Sequence, residues 1–225
     1  MDTDLDTLAT ALYVTIDDLL KDHPEWAPPR PAEGSAPRTT DSESITVAVL
    51  GALLGHTNER RWVRVARQHL TGHFPNIPGQ SGYNKRLRKL AETINWVRDQ
   101  LARSTDQWSD GLWLADSTPV ERGRSKTTVK RSEMAGDAQY GYRASHTRHF
   151  WGMRLHLPAR PSGLIVSHAL TGAKADQRDT LVSILSGLER RPGQIIESIN
   201  ATLKTHLDIE RHRARTPRWL TTRVG

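Results

Sequence analysis

The spacing of apolar residues changes once along this chain, near residue 105, and this change restricts the fold more than any other feature. Before it, leucine, isoleucine and valine recur every three or four residues, which predicts amphipathic helices. After it, short apolar runs predict three buried strands, and two further helices follow them. The predicted strands are 111–116, 149–157 and 164–170, and the later helices are 176–188 and 194–207. The sequence therefore predicts an all-helical first part and a mixed α/β second part whose strands are neighbours in one sheet.

The helical part is divided by a proline-rich stretch. Residues 1–23 contain a helix predicted over 4–20. Residues 24–40 hold five prolines, which predicts an extended linker. Residues 41–105 then form a helical region, and residues 106–225 form the α/β domain.

Within the helical region, capping residues and glycines suggest where the elements begin and end. The predicted helices are 41–54, 58–70 and 84–103, with a loop at 72–83. Thr40 or Asp41 can cap the first of these helices, and Gly55 ends it. In the α/β part, Asp176 is expected to cap the helix that follows it.

Charge is distributed unevenly. The chain has 32 Lys and Arg against 25 Asp and Glu, a net charge of +7, yet its first 25 residues hold seven acids and one base. A basic body is typical of proteins that bind polyanions, although many soluble proteins are basic without such a partner. The chain has no cysteine, which excludes disulfides and thiol catalysis, and no apolar run long enough to span a membrane. We expect a cytoplasmic protein without a signal peptide or a membrane partner.

Two basic clusters fall in the helical region. Arg60, Arg64 and Arg67 share one side of their predicted helix because they are spaced i, i+4, i+7. Further basic residues occupy the first turns of the helix predicted at 84–103. These are Lys85, Arg86, Arg88 and Lys89. Three helices with two basic faces are similar to a helix-turn-helix-like DNA-binding module, and a helical bundle with a solvated basic surface is the alternative.

A third basic cluster lies in residues 119–148, which are predicted to be a long loop. Its basic residues are Arg122, Arg124, Lys126, Lys130 and Arg131, and Tyr140 and Tyr142 follow them. Basic residues interleaved with aromatic ones are typical of phosphate contacts and base stacking. A charged insertion without a ligand is the alternative. The three clusters together favour DNA binding.

Two carboxylates and one lysine are the candidates for catalytic chemistry. Asp116 ends the first predicted strand, where its carboxylate could hold a divalent cation, or could simply begin a turn. Glu197 lies in the first turn of the helix predicted at 194–207, and Lys204 follows seven residues later on nearly the same face. The pair could hold a metal and a phosphate together. From the spacing alone, two solvated surface charges are the favoured interpretation.

Five segments of the chain resemble bacterial insertion-sequence transposases of the DDE type. In the α/β part these are WLADSTPVERGRSKTTVKRSEMAGDAQYGY, SHTRHFWGMRLHL, ALTGAKADQRDTLVSIL and QIIESINATLKTHLDIE. In the helical part, the stretch ending in PGQSGYNKRLRKL is similar too. The resemblance extends over nearly the whole chain. Its most specific motifs are the DST sequence with its basic loop, TGAKAD, and the helix containing ES-N-TLK.

The resemblance implies a ribonuclease-H-like mixed sheet in which three acidic residues hold two Mg²⁺ or Mn²⁺ ions. Such metals activate a water, and then a 3′-hydroxyl, for attack on DNA phosphodiesters. Asp116 matches the first acid, Glu197 matches the third, and Lys204 matches the lysine of the family's Y-R-E-K signature. The implied partners are the element's terminal inverted repeats and target DNA. A homodimer is compatible with this pattern.

One segment departs from the family pattern. The family carries its second aspartate on a further strand before the glutamate helix, but here only 189–194 (ERRPGQ) separates the two helices. No aspartate occurs there, and Gly193 replaces an arginine of the family. We interpret this as an internal deletion with a shortened C-terminus, which leaves the ribonuclease-H-like sheet incomplete.

The deletion has functional consequences because it removes one metal ligand. We expect a DDE transposase whose DNA cleavage and strand transfer are defective. A non-catalytic DNA-binding remnant that recognises the terminal repeats is the alternative. A chain that does not fold stably is a third, because loss of a strand exposes sheet edges.

Overall fold

A computed structural model describes residues 3–29, 37–109, 114–123, 126–143 and 147–186 of the chain. The chain forms two compact units, Met1–Arg98 and Asp99–Gly225. The predicted helix at 194–207, with Glu197 and Lys204, lies outside the described residues, as does Arg124. Among the helices that the structure describes, none is both long and apolar enough to cross a lipid bilayer.

The first unit is helical, as predicted. Its helices are α1 (Thr3–Asp22), α2 (Asp41–Leu53), α3 (Glu59–His69), α4 (Gln80–Lys89) and the first part of α5 (Ala91–Arg103). The helix of the predicted segment 1–23 belongs to the same compact unit as the helical region, because α1 packs against α2. The Ser42 hydroxyl donates a 2.7 Å hydrogen bond to the Asp17 carboxylate across this contact.

Local signals define α2 at both ends. The Thr40 hydroxyl accepts a 3.1 Å hydrogen bond from the Glu43 N–H, and the Glu43 carboxylate accepts a 2.7 Å bond from the Thr40 N–H. This is a capping box, so Thr40 is the cap. Gly55 has a φ of 71°, a conformation that glycine adopts at little cost after a helix.

The prediction of one helix over 84–103 was wrong. The helix begins earlier, at Gln80 within the predicted loop, and is interrupted at Leu90, so that α4 and α5 are separate. A straight helix from Gln80 to Arg103 would be about 36 Å long, which exceeds the size of a small helical unit. The interruption allows Tyr83 and Leu87 of α4 to be buried as well as Val97 of α5.

The second unit contains a four-stranded sheet whose pairs are all antiparallel among the described residues. The strands are β1 (Leu114–Gly123), β2 (Gln139–Arg143), β3 (Arg148–Ala159) and β4 (Ala169–Gly172). The long strand β3 is central: β1 pairs along one edge of it, and β2 and β4 pair with successive parts of the other edge. The mixed α/β architecture and the neighbouring strands are confirmed. The ribonuclease-H-like mixed sheet stays a prediction.

Two helices complete the described part of this unit. Along the chain, helix α6 (Lys126–Arg131) follows β1 and precedes β2. Helix α7 (Gln177–Ser186) follows β4 and packs against β3. Asp176 caps α7, as predicted: its carboxylate accepts hydrogen bonds from the N–H groups of Asp179 at 3.1 Å and Arg178 at 2.8 Å. These two bonds lower the pKa of Asp176 below its usual value.

The strand boundaries required three corrections. The first strand does not end at Asp116 but continues to Gly123, because Thr118 and Val120 favour extended structure and Pro119 needs no partner on the edge away from β3. The predicted loop 119–148 contains the end of β1, α6 and β2. The third predicted strand, 164–170, is reduced to one bridge at Ile165 and the strand β4.

Candidate nucleic-acid interface

Helix α3 has one buried side and one basic side. Trp62, Val63 and Ala66 are buried, and the Trp62 indole donates a 3.0 Å hydrogen bond to the Val47 carbonyl of α2. This packing fixes the rotation of α3 about its own axis. The opposite side therefore presents Arg60, Arg64 and Arg67, all of which are exposed. We call these three residues the arginine face.

The arginine face has no acidic partner among the residues that the structure describes. The nearest acid in sequence, Glu59, instead accepts hydrogen bonds from the Asn84 amide at 3.1 and 3.2 Å. Unpaired guanidinium groups of this kind are available to phosphates, which they bind with planar, charge-assisted hydrogen bonds.

Two open cavities of about 500 and 530 Å³ border the arginine face. They share Arg67 and Gly79. The larger one is lined by all three arginines of the face, and the other by Arg38 as well as Arg67. Gly79 is the residue before α4 and has no side chain to cap that helix, so the positive end of α4 adds to the potential of the arginines.

The basic residues of α4 differ among themselves. Lys85, Arg88 and Lys89 are exposed. The prediction placed them in the first turns of a helix, but they lie in the last turns of α4. Arg86 forms a 2.6 Å ion pair with the buried Asp41 carboxylate. Arg86 lines one of the two cavities, but its charge is partly neutralised by the Asp41 carboxylate. Residues 70–79 join α3 to α4, so the pair lacks the short turn of a helix-turn-helix motif.

Asp116 is the third residue of β1 and is not at a strand end. It is half-buried, and its carboxylate accepts a 2.6 Å hydrogen bond from the N–H of Ser117. Its cross-strand partner is Leu157. Within the described ranges no group of three metal-ligating side chains occurs, and Glu197 and Lys204 lie outside them. The described residues alone do not fit a two-metal site, so we derive no metal-dependent step.

A hydrogen-bonded cluster that the sequence did not reveal lies on the other face of the sheet. The Ser117 hydroxyl accepts a 3.1 Å bond from the Arg154 guanidinium and donates one of 3.1 Å to the Gln177 side chain of α7. His156 is fully buried, with its Nε2 2.9 Å from the Thr171 hydroxyl. Burial, and then the charge of Arg154, lower the pKa of His156 to about 4. These hydrogen bonds link β1, β3, β4 and α7. The lowered pKa keeps the histidine of the cluster neutral at pH 7.

The third basic cluster is only partly described. Lys130 and Arg131 are exposed at the end of α6, and Arg122 is half-buried near an irregularity in the β1–β3 register. Of Lys126 only the backbone is described. Tyr140 and Tyr142, which follow on β2, are both exposed.

Comparisons with protein-family models, curated proteins and solved structures find no match to this chain. The transposase resemblance therefore rests on the sequence motifs themselves. The DNA-binding interpretation stays a prediction.

Proposed function

We propose that this chain binds DNA and is a DDE-type insertion-sequence transposase whose strand transfer is defective. The observation that carries the DNA-binding part is the arginine face, which is exposed, unpaired among the described residues and bordered by two cavities. The motif resemblance supports the narrower assignment to insertion-sequence ends.

The dimensions of the arginine face suit a duplex backbone. Arg60 and Arg67 are seven residues apart, so they are separated by about 10 Å along the helix axis. This distance corresponds to about three base-pair steps at 3.4 Å each. The three guanidinium groups can therefore contact successive phosphates of one strand, and the N-terminus of α4 lies next to them.

The absence of strand transfer follows from the residues available for metal binding. The family mechanism needs three carboxylates, and the segment that should carry the second, 189–194, has no aspartate. Asp116 is the one acid of the expected set within the described part of the chain, and it already accepts a hydrogen bond from Ser117. Mg²⁺ or Mn²⁺, if held by Asp116 and Glu197, would supply Lewis-acid chemistry at a phosphodiester.

Fluorescence anisotropy with labelled duplexes tests the DNA-binding proposal. We expect Arg64→Ala to weaken duplex binding about tenfold because it removes a phosphate contact. Lys21→Ala is the matched control: it also removes one exposed positive charge from the helical unit, but Lys21 is already paired with the Asp17 carboxylate at 2.6 Å. Equal loss in both variants would contradict a specific arginine face. Preference for terminal-repeat DNA over a scrambled duplex tests the narrower assignment.

A strand-transfer assay tests the proposed defect. Purified protein is incubated with terminal-repeat DNA, target DNA and Mg²⁺ or Mn²⁺, and the products are separated on a gel. We expect no transfer product. Robust metal-dependent transfer would show that the acids present suffice for catalysis.

A further inference from the structure

The hairpin of β2 and β3 presents two tyrosines that the arginine face does not use. Tyr140 and Tyr142 are 44% and 47% exposed. Both point to the same side of β2, since alternate residues of a strand share a face. Across the hairpin, Tyr140 is paired with the buried Trp151 and Tyr142 with the exposed His149. We call Tyr140, Tyr142 and His149 the tyrosine platform.

Gly141, between the two tyrosines, fixes their orientation. A Cβ atom at Gly141 would lie 2.8 Å from the Ala173 Cβ and 2.9 Å from the Phe150 ring. That side of β2 is therefore filled by packing, and a tyrosine turned towards it would clash. The order Tyr-Gly-Tyr keeps both phenol rings on the open face.

The tyrosine platform contains one tilted ring pair, and the spacing along β2 leaves room for a further ring. The Tyr142 and His149 rings are 5.0 Å apart and inclined at 53°. Residues two apart on a strand, such as Tyr140 and Tyr142, are separated by about 7 Å. This is about twice the 3.4 Å rise between successive bases. One flat ring can therefore lie between the two tyrosines and contact both.

The segment of the chain that contains the platform is basic, which favours a partner that carries phosphates. Residues 122–149 contain seven Lys or Arg and two acids, a formal charge of +5. Lys130 and Arg131 are exposed on α6, while Arg148 is paired with Glu121 at 2.9 Å. A ligand with flat aromatic groups and a negative backbone complements both features, and single-stranded DNA has both.

We propose that the tyrosine platform binds unpaired bases of single-stranded DNA by stacking. The inference rests on the proposed DNA-binding function and adds a second surface with a different preference. The arginine face contacts the backbone of a duplex, whereas the platform needs bases that are free of their pairing partners.

Two single strands of equal charge test this inference with the full-length chain. One is a labelled oligo(dT) of about 12 nucleotides, and the other is an abasic strand of the same length. We expect the unmodified protein to bind oligo(dT) more tightly. Tyr140→Ala and Tyr142→Ala should each weaken oligo(dT) binding about tenfold, the usual loss for one stacking contact. Tyr142→Phe should keep the affinity, because it keeps the ring.

Val182→Ala is the matched control, since Val182 is 66% exposed on α7 and outside the platform. Unchanged oligo(dT) affinity in a folded Tyr140→Ala/Tyr142→Ala variant would overturn the inference. So would equal affinity of the unmodified protein for the abasic strand. A change in sedimentation of that variant with unchanged oligo(dT) affinity would also overturn it, and would assign the platform to contact between two copies of the chain.

Duplex binding measured in parallel separates this inference from the proposed function. If Arg64→Ala leaves duplex affinity unchanged while the tyrosine variants lose oligo(dT), the arginine face fails and the platform stands. The reverse pattern rejects the platform alone.

Discussion

The arginine face of the helical unit and two arginines of the sheet unit are used in opposite ways. In the helical unit, the arginine face is exposed and has no acidic partner among the described residues. In the sheet unit, Arg154 donates a hydrogen bond to Ser117, and Arg160 is fully buried and donates to the Trp108 carbonyl. Positive charge alone therefore does not identify an interface. An arginine held by internal hydrogen bonds supports the fold, and an exposed unpaired one is available to a ligand.

The largest expected effect comes from the buried arginine. Arg160→Met removes the hydrogen bond that the guanidinium donates to the Trp108 carbonyl, and a cation 6.0 Å from the Trp108 ring. We expect the free energy of unfolding to fall by about 3 kcal/mol, measured by urea denaturation. Arg64→Ala in the arginine face should change it by less than about 0.5 kcal/mol. Equal effects of the two substitutions would break the contrast between the units.

A smaller effect tests whether packing fixes the arginine face. A Cβ atom at Gly51 of α2 would lie 2.6 Å from the Trp62 Nε1 of α3. Gly51→Ala should therefore displace Trp62 and cost about 2 kcal/mol in thermal or urea unfolding. Gly72 is the control, because a Cβ there meets nothing within 4 Å. If Gly51→Ala is as mild as Gly72→Ala, α3 is not held by this contact.

A third effect concerns pH and the sheet unit, and near neutral pH it is the smallest of the three. The pKa of His156 is about 4 in the folded chain, against 6.5 for an unperturbed histidine. Between these values the unfolded chain binds a proton that the folded chain does not, so stability is present above pH 6.5 and is lost towards pH 4. The loss from this residue should be about 1 kcal/mol by pH 6 and should grow to about 3 kcal/mol by pH 4. His156→Asn should flatten the pH dependence of unfolding in this window, and an unchanged slope would contradict the assignment.

The sequence predicted the elements where periodicity and caps agree. The apolar side of α3, a cap at Thr40 or Asp41 and the strand β3 were all visible in the sequence, and the structure assigns the cap to Thr40. The interruption at Leu90 was not, because no glycine or proline marks it and only tertiary packing requires it. Pro119 suggested that the first strand ends before it, but a proline is tolerated in an edge strand, so β1 continues through it.

Only part of the candidate site could be predicted from the sequence. Exposed arginines at helical spacing can be found from sequence, because one turn of helix sets their common face. The cluster of Ser117, Arg154 and His156 could not be found from sequence, because polar residues on a strand suggest a solvent-facing side. Their burial depends on Thr171 and Gln177, which are distant in the chain.

The salt dependence of duplex binding tests the central claim most directly. Each phosphate contact contributes about 0.9 to the slope of log affinity against log salt concentration. Replacing Arg60, Arg64 and Arg67 together by alanine should therefore lower the magnitude of that slope by about 3 and leave unfolding unchanged. A triple variant with the slope of the unmodified protein would contradict the claim that the arginine face holds the DNA backbone.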